Sequence, residues 1–141
     1  MVTIGRTTIL VRDLDESRDF YRRAFGFRTL FDGEFAPGMR TVHVGPEGQR
    51  DPGLWLFVPT NDAERARIGS QTGGAPTLVI YVEELESLLA RLETSDVRVV
   101  KPFTVQGEAK FGHVLDASGN EIVLVELPTG DQLDVAYKLA E

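Results

Sequence analysis

The stretch Thr7-Thr8-Ile9-Leu10-Val11-Arg12-Asp13-Leu14-Asp15-Glu16-Ser17-Arg18-Asp19-Phe20-Tyr21-Arg22-Arg23-Ala24-Phe25-Gly26 decides the fold. Its first five residues are β-branched or aliphatic and read as a strand. Asp13 is a natural N-cap, and Glu16, three residues later, completes a capping-box-like pattern. Beyond the cap the apolar period changes. Leu14, Phe20, Tyr21 and Ala24 or Phe25 fall near one helical face, and Gly26 is a natural stop. The stretch is a strand leading directly into an amphipathic helix.

Working outward, the same unit recurs. Residues 77–82 read as a strand, and Leu85, Leu88, Leu89 and Leu92 then form the apolar stripe of a helix over 84–94. Val11 and Val82, Leu14 and Leu85, and Tyr21 and Leu92 are each 71 residues apart, so the two apolar registers coincide. Three strand-like runs follow each helix: 28–31, 40–44 and 54–58, then 97–100, 111–115 and 121–127. Ser118-Gly119-Asn120 reads as the turn of a closing hairpin. The order is β-α-β-β-β, twice. The expectation is an α+β fold of two tandem βαβββ modules in one domain spanning 1–141. Module one covers about 4–58, a linker with one helical turn about 59–75, and module two about 76–127. A tail at 128–141 carries Leu133, Ala136, Tyr137 and Leu139 at helical spacing and reads as a cap on the sheet or on a partner subunit.

Composition narrows the function. The chain has 141 residues and no cysteine, which excludes disulfides, thiolate nucleophiles, iron–sulfur clusters and cysteine-ligated zinc. Fifteen Lys and Arg against 22 Asp and Glu leave a net charge of −7, and no basic cluster offsets it. Neither nucleic acid nor an anionic membrane is an expected partner. No apolar run reaches bilayer length, and the first residues lack a signal-peptide core, so the expected location is cytoplasmic.

Ile9-x-Val11-x-Asp13-Leu14-x-x-Ser17-x-x-Phe20-Tyr21, closed by Phe25-Gly26-Phe27, resembles the opening of vicinal oxygen chelate proteins. Asp116-x-x-Gly119-Asn120-x-Ile122-x-Leu124 resembles their closing hairpin. This family includes glyoxalase I, extradiol dioxygenases, fosfomycin-resistance enzymes and bleomycin-binding proteins. The likeness spans residues 5–127 and implies two modules whose curved mixed sheet encloses a cup-shaped cavity. It also implies a homodimer. Metal-dependent members present His or Glu from four strand positions, which correspond here to Arg6, Trp55, Thr77 and Val123. Arginine is cationic and cannot ligate, Trp and Val offer no usable lone pair, and a Thr hydroxyl is a weak ligand. No metal or other cofactor is therefore expected, and glyoxalase I activity is expected to be absent.

Strand alternation turns Arg6, Thr8, Trp55, Phe57, Thr77, Tyr81 and Val123 toward the cup. Large aromatics with a few polar groups suit a small organic ligand with a flat apolar part and a polar end. Trp55, the single tryptophan, either stacks on that ligand or fills the core. Arg6 either clamps an anionic group or pairs with Glu121. Phe35, Pro37 and Met39 in one loop, and Lys101-Pro102-Phe103 at the start of another, would overhang the rim. His43 and His113 lie 70 residues apart, close to the repeat offset. With Glu121 they form a two-His, one-carboxylate candidate set for catalysis or for a displaced divalent metal. Two functions follow. The first is a metal-free protein that binds and sequesters a partly aromatic molecule. The alternative is an isomerase, lyase or dioxygenase-type enzyme acting through His43, His113 and Glu121.

Overall fold

The computed structural model describes residues 1–127. The expected tail helix at 128–141 lies outside the described residues. The elements are β1 (Arg6–Leu10), α1 (Leu14–Phe25), β2 (Arg28–Ala36), β3 (Met39–Gly45), β4 (Gly53–Phe57), α2 (Asp62–Arg65), β5 (Leu78–Val82), α3 (Leu85–Glu93), β6 (Val99–Gln106), β7 (Ala109–Leu115) and β8 (Glu121–Glu126). They build two four-stranded mixed sheets, ordered β1-β4-β3-β2 and β5-β8-β7-β6. The fold is α+β with two βαβββ modules, and the repeat extends to strand pairing. Parallel β1 and β4 set Thr7 opposite Leu54, and parallel β5 and β8 set Leu78 opposite Ile122.

Each helix forms where the sequence supplies ends and an apolar face. The Asp13 carboxylate accepts the Glu16 N–H at 2.7 Å. Gly26 closes α1 in the left-handed conformation with φ 71°, donating its N–H to the Arg22 carbonyl. The buried face of α1, including Phe20, Tyr21 and Ala24, packs on β3 and β4, whose Val42, Val44, Leu54 and Leu56 are also buried. In the second module Leu85, Leu89 and Leu92 form the buried stripe of α3, and Val114, Ile122 and Leu124 are the buried strand residues. Glu84 gives α3 no side-chain cap. The Glu126 carboxylate at the end of β8 accepts the Leu85 N–H at 3.0 Å instead. That bond, with Lys110 at 3.1 Å, holds the Glu126 carboxyl below its usual range.

The strands β2, β3, β6 and β7 run longer than expected. β2 and β3 meet in a tight hairpin with Ala36 opposite Met39, so Phe35 and Met39 belong to strands and not to a rim loop. Likewise Lys101, Pro102 and Phe103 lie inside β6. A register shift between Lys101 and Thr104 spares the ladder the N–H that Pro102 lacks. Asp32-Gly33 and Pro102 read locally as breakers, but cross-strand pairing overrides that preference.

Two compact units result. One comprises Met1–Thr77 with Leu115–Glu121, and the other Leu78–Val114 with the chain from Ile122 onward. Hydrogen bonds explain why the 115–121 turn joins the first unit. Buried Tyr21 donates its hydroxyl to Asp116 Oδ2 at 2.8 Å. The other oxygen of Asp116 accepts the N–H groups of Ser118 and Asn120, both at 2.9 Å. Asn120 donates its side-chain amide to the Leu10 carbonyl at 2.9 Å and accepts the Gly69 N–H at 3.1 Å. The 59–75 linker is tied in again by Gln71. Its side-chain carbonyl accepts the Leu10 N–H at 2.8 Å, and its amide donates to the Thr8 carbonyl at 2.9 Å. Gln71 thus pairs with the outer edge of β1 as a neighbouring strand would. Among the described residues, no helix is long and apolar enough to cross a membrane.

Candidate ligand-binding face

One row of paired residues crosses the first sheet: Thr8 opposite Trp55, Trp55 opposite His43, and His43 opposite Phe31. Directly paired residues share a sheet face, so these four side chains stand together. Phe57, two residues beyond Trp55, shares that face and meets the Trp55 ring edge-on at 5.1 Å between centroids. Phe35 extends the row at the other end. It stacks on Phe31 at 4.7 Å with the rings 7° from parallel. Gly33, between them, leaves room for this: a Cβ there would stand 3.1 Å from the Phe31 ring. His43 joins the two halves, 5.7 Å from the Phe31 ring and 6.3 Å from Trp55. A continuous aromatic path therefore runs from exposed Phe35 to half-buried Phe57.

A chain of polar contacts fixes the chemistry of His43. Arg6 donates Nε–H to His43 Nδ1 at 3.1 Å. The same guanidinium donates to Asp51 Oδ1 at 2.8 Å and to the Gly5 and Arg50 carbonyls. An accepting Nδ1 requires a neutral ring with its proton on Nε2. Partial burial and the adjacent Arg6 charge both lower the His43 pKa, which agrees with a neutral ring. Asp51 stays ionised, held below the usual carboxylate range by Arg50 and Arg6. Leu30 caps the Arg6 end of the face. It is the extra residue at a register shift between Thr29 and Phe31, and its Cδ1 would lie 2.5 Å from a Cβ on Gly53. A side chain at position 53 would have to displace Leu30 and would crowd the Val44 carbonyl oxygen at 3.0 Å.

The remaining sequence-selected residues fall as follows. In the first unit, Thr77 precedes β5 and donates its N–H to the Glu121 carbonyl. In the second, Val79 lies opposite Val123, and Tyr81 opposite Val125. Val79 and Tyr81 are 54% and 59% exposed. His113 stands opposite Lys101 on β7, its ring 6.1 Å from Phe111. Among the described residues, no three His, Cys, Asp or Glu are grouped to hold a metal ion. Of the residues that the resemblance sets at ligand positions, Arg6 is a cation bound to Asp51 and Trp55 belongs to the aromatic row, and neither side chain is a donor for a metal ion. Sequence reasoning passes over Phe31, Thr41 and Asp51, and it sets Phe35 in a rim loop, whereas Phe35 stands on β2. The Phe31-x-Gly33-x-Phe35 alternation is the available signal for Phe31 and for the true place of Phe35.

Fold, repeat and closing motif together define a two-module vicinal-oxygen-chelate protein. The family model described as Glyoxalase/Bleomycin resistance protein/Dioxygenase superfamily matches residues 3–124, and the chain belongs to that superfamily. Among solved structures it is similar to UcmS2, with 22% identity, TM-score 0.77, and coverage of 90% of this chain and 99% of that one. A superfamily member from Sphaerobacter thermophilus DSM 20745 shares 23% identity at TM-score 0.74, covering 90% and 98%. TnmS3, an antibiotic binding protein from Streptomyces sp. CB03234, shares 21% at TM-score 0.71, covering 91% and 98%. No curated protein matches the chain.

Proposed function

We propose that this protein is a metal-independent binding protein that sequesters a small, partly aromatic molecule on the first-module face. The observation that carries this reading is the aromatic row from Phe35 to Phe57, interrupted only by a neutral His43. Planar rings are the natural partners of such a surface. With Nδ1 occupied and the proton on Nε2, His43 offers a hydrogen-bond donor and no free lone pair. That favours holding a ligand over abstracting a proton from one. The similar fold of TnmS3, an antibiotic binding protein, supports the same role. The same reading has the protein act in the cytoplasm without a cofactor, and as a homodimer. Exposed Val79 and Tyr81 on β5, the outer strand of its sheet, support the dimer.

The test is a fluorescence titration of planar aromatic compounds, including antibiotics, monitored at Trp55. Binding that quenches Trp55 and is lost in Trp55→Leu, with the fold retained, is the expected result. Absence of any binder across the panel overturns the reading. A turnover abolished by His43→Ala or His113→Ala would point to the enzymatic alternative.

A further inference from the structure

His43 engages only one of its two ring nitrogens. Nδ1 accepts from Arg6 Nε–H, so the ring proton sits on Nε2. Among the described residues, Nε2 has no hydrogen-bond partner. Nor is it closed off. The buried side-chain polar atoms left without a partner among the described residues are Ser17 Oγ and Thr41 Oγ1, and the half-buried His43 contributes none. The Nε2–H group is therefore open to a molecule that rests on the face.

Its direction follows from the chemistry of the ring. Nε2 is further from Cβ along the ring than Nδ1, so it forms the tip of a side chain that stands on the sheet. Three aromatic rings border the imidazole: Phe31 at 5.7 Å, Phe35 at 6.1 Å and Trp55 at 6.3 Å between centroids. A flat molecule resting on any of them brings an edge toward Nε2. The groups behind the imidazole add a sign. Asp51 lies 2.8 Å from Arg6 and 2.8 Å from Arg50, so one carboxylate answers two guanidinium groups and the three sum to a net positive charge. The bond from Arg6 to Nδ1 polarises the ring and strengthens Nε2–H as a donor. The same charge opposes a cationic group at that point. Thr8, opposite Trp55, is also polar, but a hydroxyl both donates and accepts and selects neither.

We infer that His43 is the specificity-determining residue of this face, and that its Nε2–H selects flat ligands with an acceptor oxygen on the ring edge, a ring carbonyl in the simplest case. Ligands that present only carbon or an N–H there are disfavoured. The inference rests on the proposed binding role and adds the polar chemistry of the ligand. A ligand that covers Nε2–H takes it from solvent. An acceptor oxygen replaces the lost bond, whereas a carbon or N–H edge leaves the donor unpaired. The Arg6 bond fixes the orientation of the imidazole before the ligand arrives, so little conformational freedom is lost on binding.

Coumarin and naphthalene, two flat fused bicycles, separate the donor from the aromatic surface, since only coumarin carries a ring carbonyl. Indole tests the sign, since it brings an N–H and no carbonyl. Each is titrated by NMR into isotope-labelled wild type and His43→Phe, which keeps a flat ring and removes the donor. Naphthalene is the more hydrophobic probe, so the informative quantity is the ratio of coumarin to naphthalene affinity in each protein. That ratio is expected to fall about tenfold in His43→Phe, as the loss of one net hydrogen bond implies. The ratio of indole to naphthalene does not fall. In wild type, coumarin moves the His43 Nε2 nitrogen signal, read through the carbon-bound ring protons, further than naphthalene does. This last readout needs no variant to fold. If His43→Phe keeps the coumarin ratio, if the indole ratio falls with it, or if coumarin moves Nε2 no further than naphthalene, the donor is refuted while the aromatic face stands. If none of the three probes binds wild type, the donor and the binding role fall together.

Discussion

At the scale of single side chains, the guanidinium of Arg6 does two things at once. It neutralises Asp51, and its Nε–H fixes the tautomer of His43. Arg6 thus orients a neighbouring imidazole while its own charge is answered. The consequence is measurable. At neutral pH the ring nitrogens of His43 are expected to show the Nε2–H form by nitrogen-detected NMR. The ring is expected to titrate below the ordinary value of 6.5. Because the folded-state pKa is lowered, the neutral ring's contribution to stability is present above 6.5 and is lost as pH falls through the lowered value. Arg6→Met removes both the bond and the charge and should raise the His43 pKa. A His43 that titrates at or above its ordinary value in wild type would contradict this account.

At the scale of elements, α1 and the 115–121 turn are joined by the buried bond from Tyr21 to Asp116. Tyr21→Phe removes a hydrogen bond to a carboxylate and is expected to cost about 1.5–3 kcal/mol. The bond also gives a pH signature. Burial, followed by the nearby Asp116 charge, raises the Tyr21 pKa well above 10.0. The protonated hydroxyl therefore stabilises the fold below pH 10, and that contribution fades as pH rises from there. Denaturant melts from pH 8 to 11 should show a steeper alkaline loss in wild type than in Tyr21→Phe. Parallel curves would rule out the coupling. The elements themselves were unequally legible. β1 and α1 stand out because the period changes sharply at Asp13, a residue that is itself the cap. The Tyr21 and Asp116 motifs could be read, but not the bond between them, since spacing along the chain does not give proximity. The outer halves of β2, β3, β6 and β7 were hidden because Gly33 and Pro102 look like breakers until their hairpin partners are known.

At the scale of the whole molecule, the repeat was readable because both modules keep one apolar register, and the pairing of β1 with β4 and of β5 with β8 follows it. The site was only partly readable. Trp55 and Phe57 follow from strand alternation. Phe31, Phe35 and Thr41 depend on the register of the β2–β3 hairpin, and Asp51 on the path of the segment between β3 and β4. At this scale the homodimer proposal predicts twice the chain mass of 15.6 kDa by sedimentation equilibrium. Tyr81→Glu is expected to shift the mass toward that of a single chain, and a wild-type monomer across the micromolar range would refute the proposal.

The most direct test of the central claim is calorimetric titration of a planar aromatic binder, found at Trp55, into protein stripped of metal by a chelator. The account predicts a saturable isotherm near one ligand per chain, unchanged when zinc, iron, nickel or manganese is restored. Binding that appears only with restored metal, or that survives in Trp55→Leu, would contradict it.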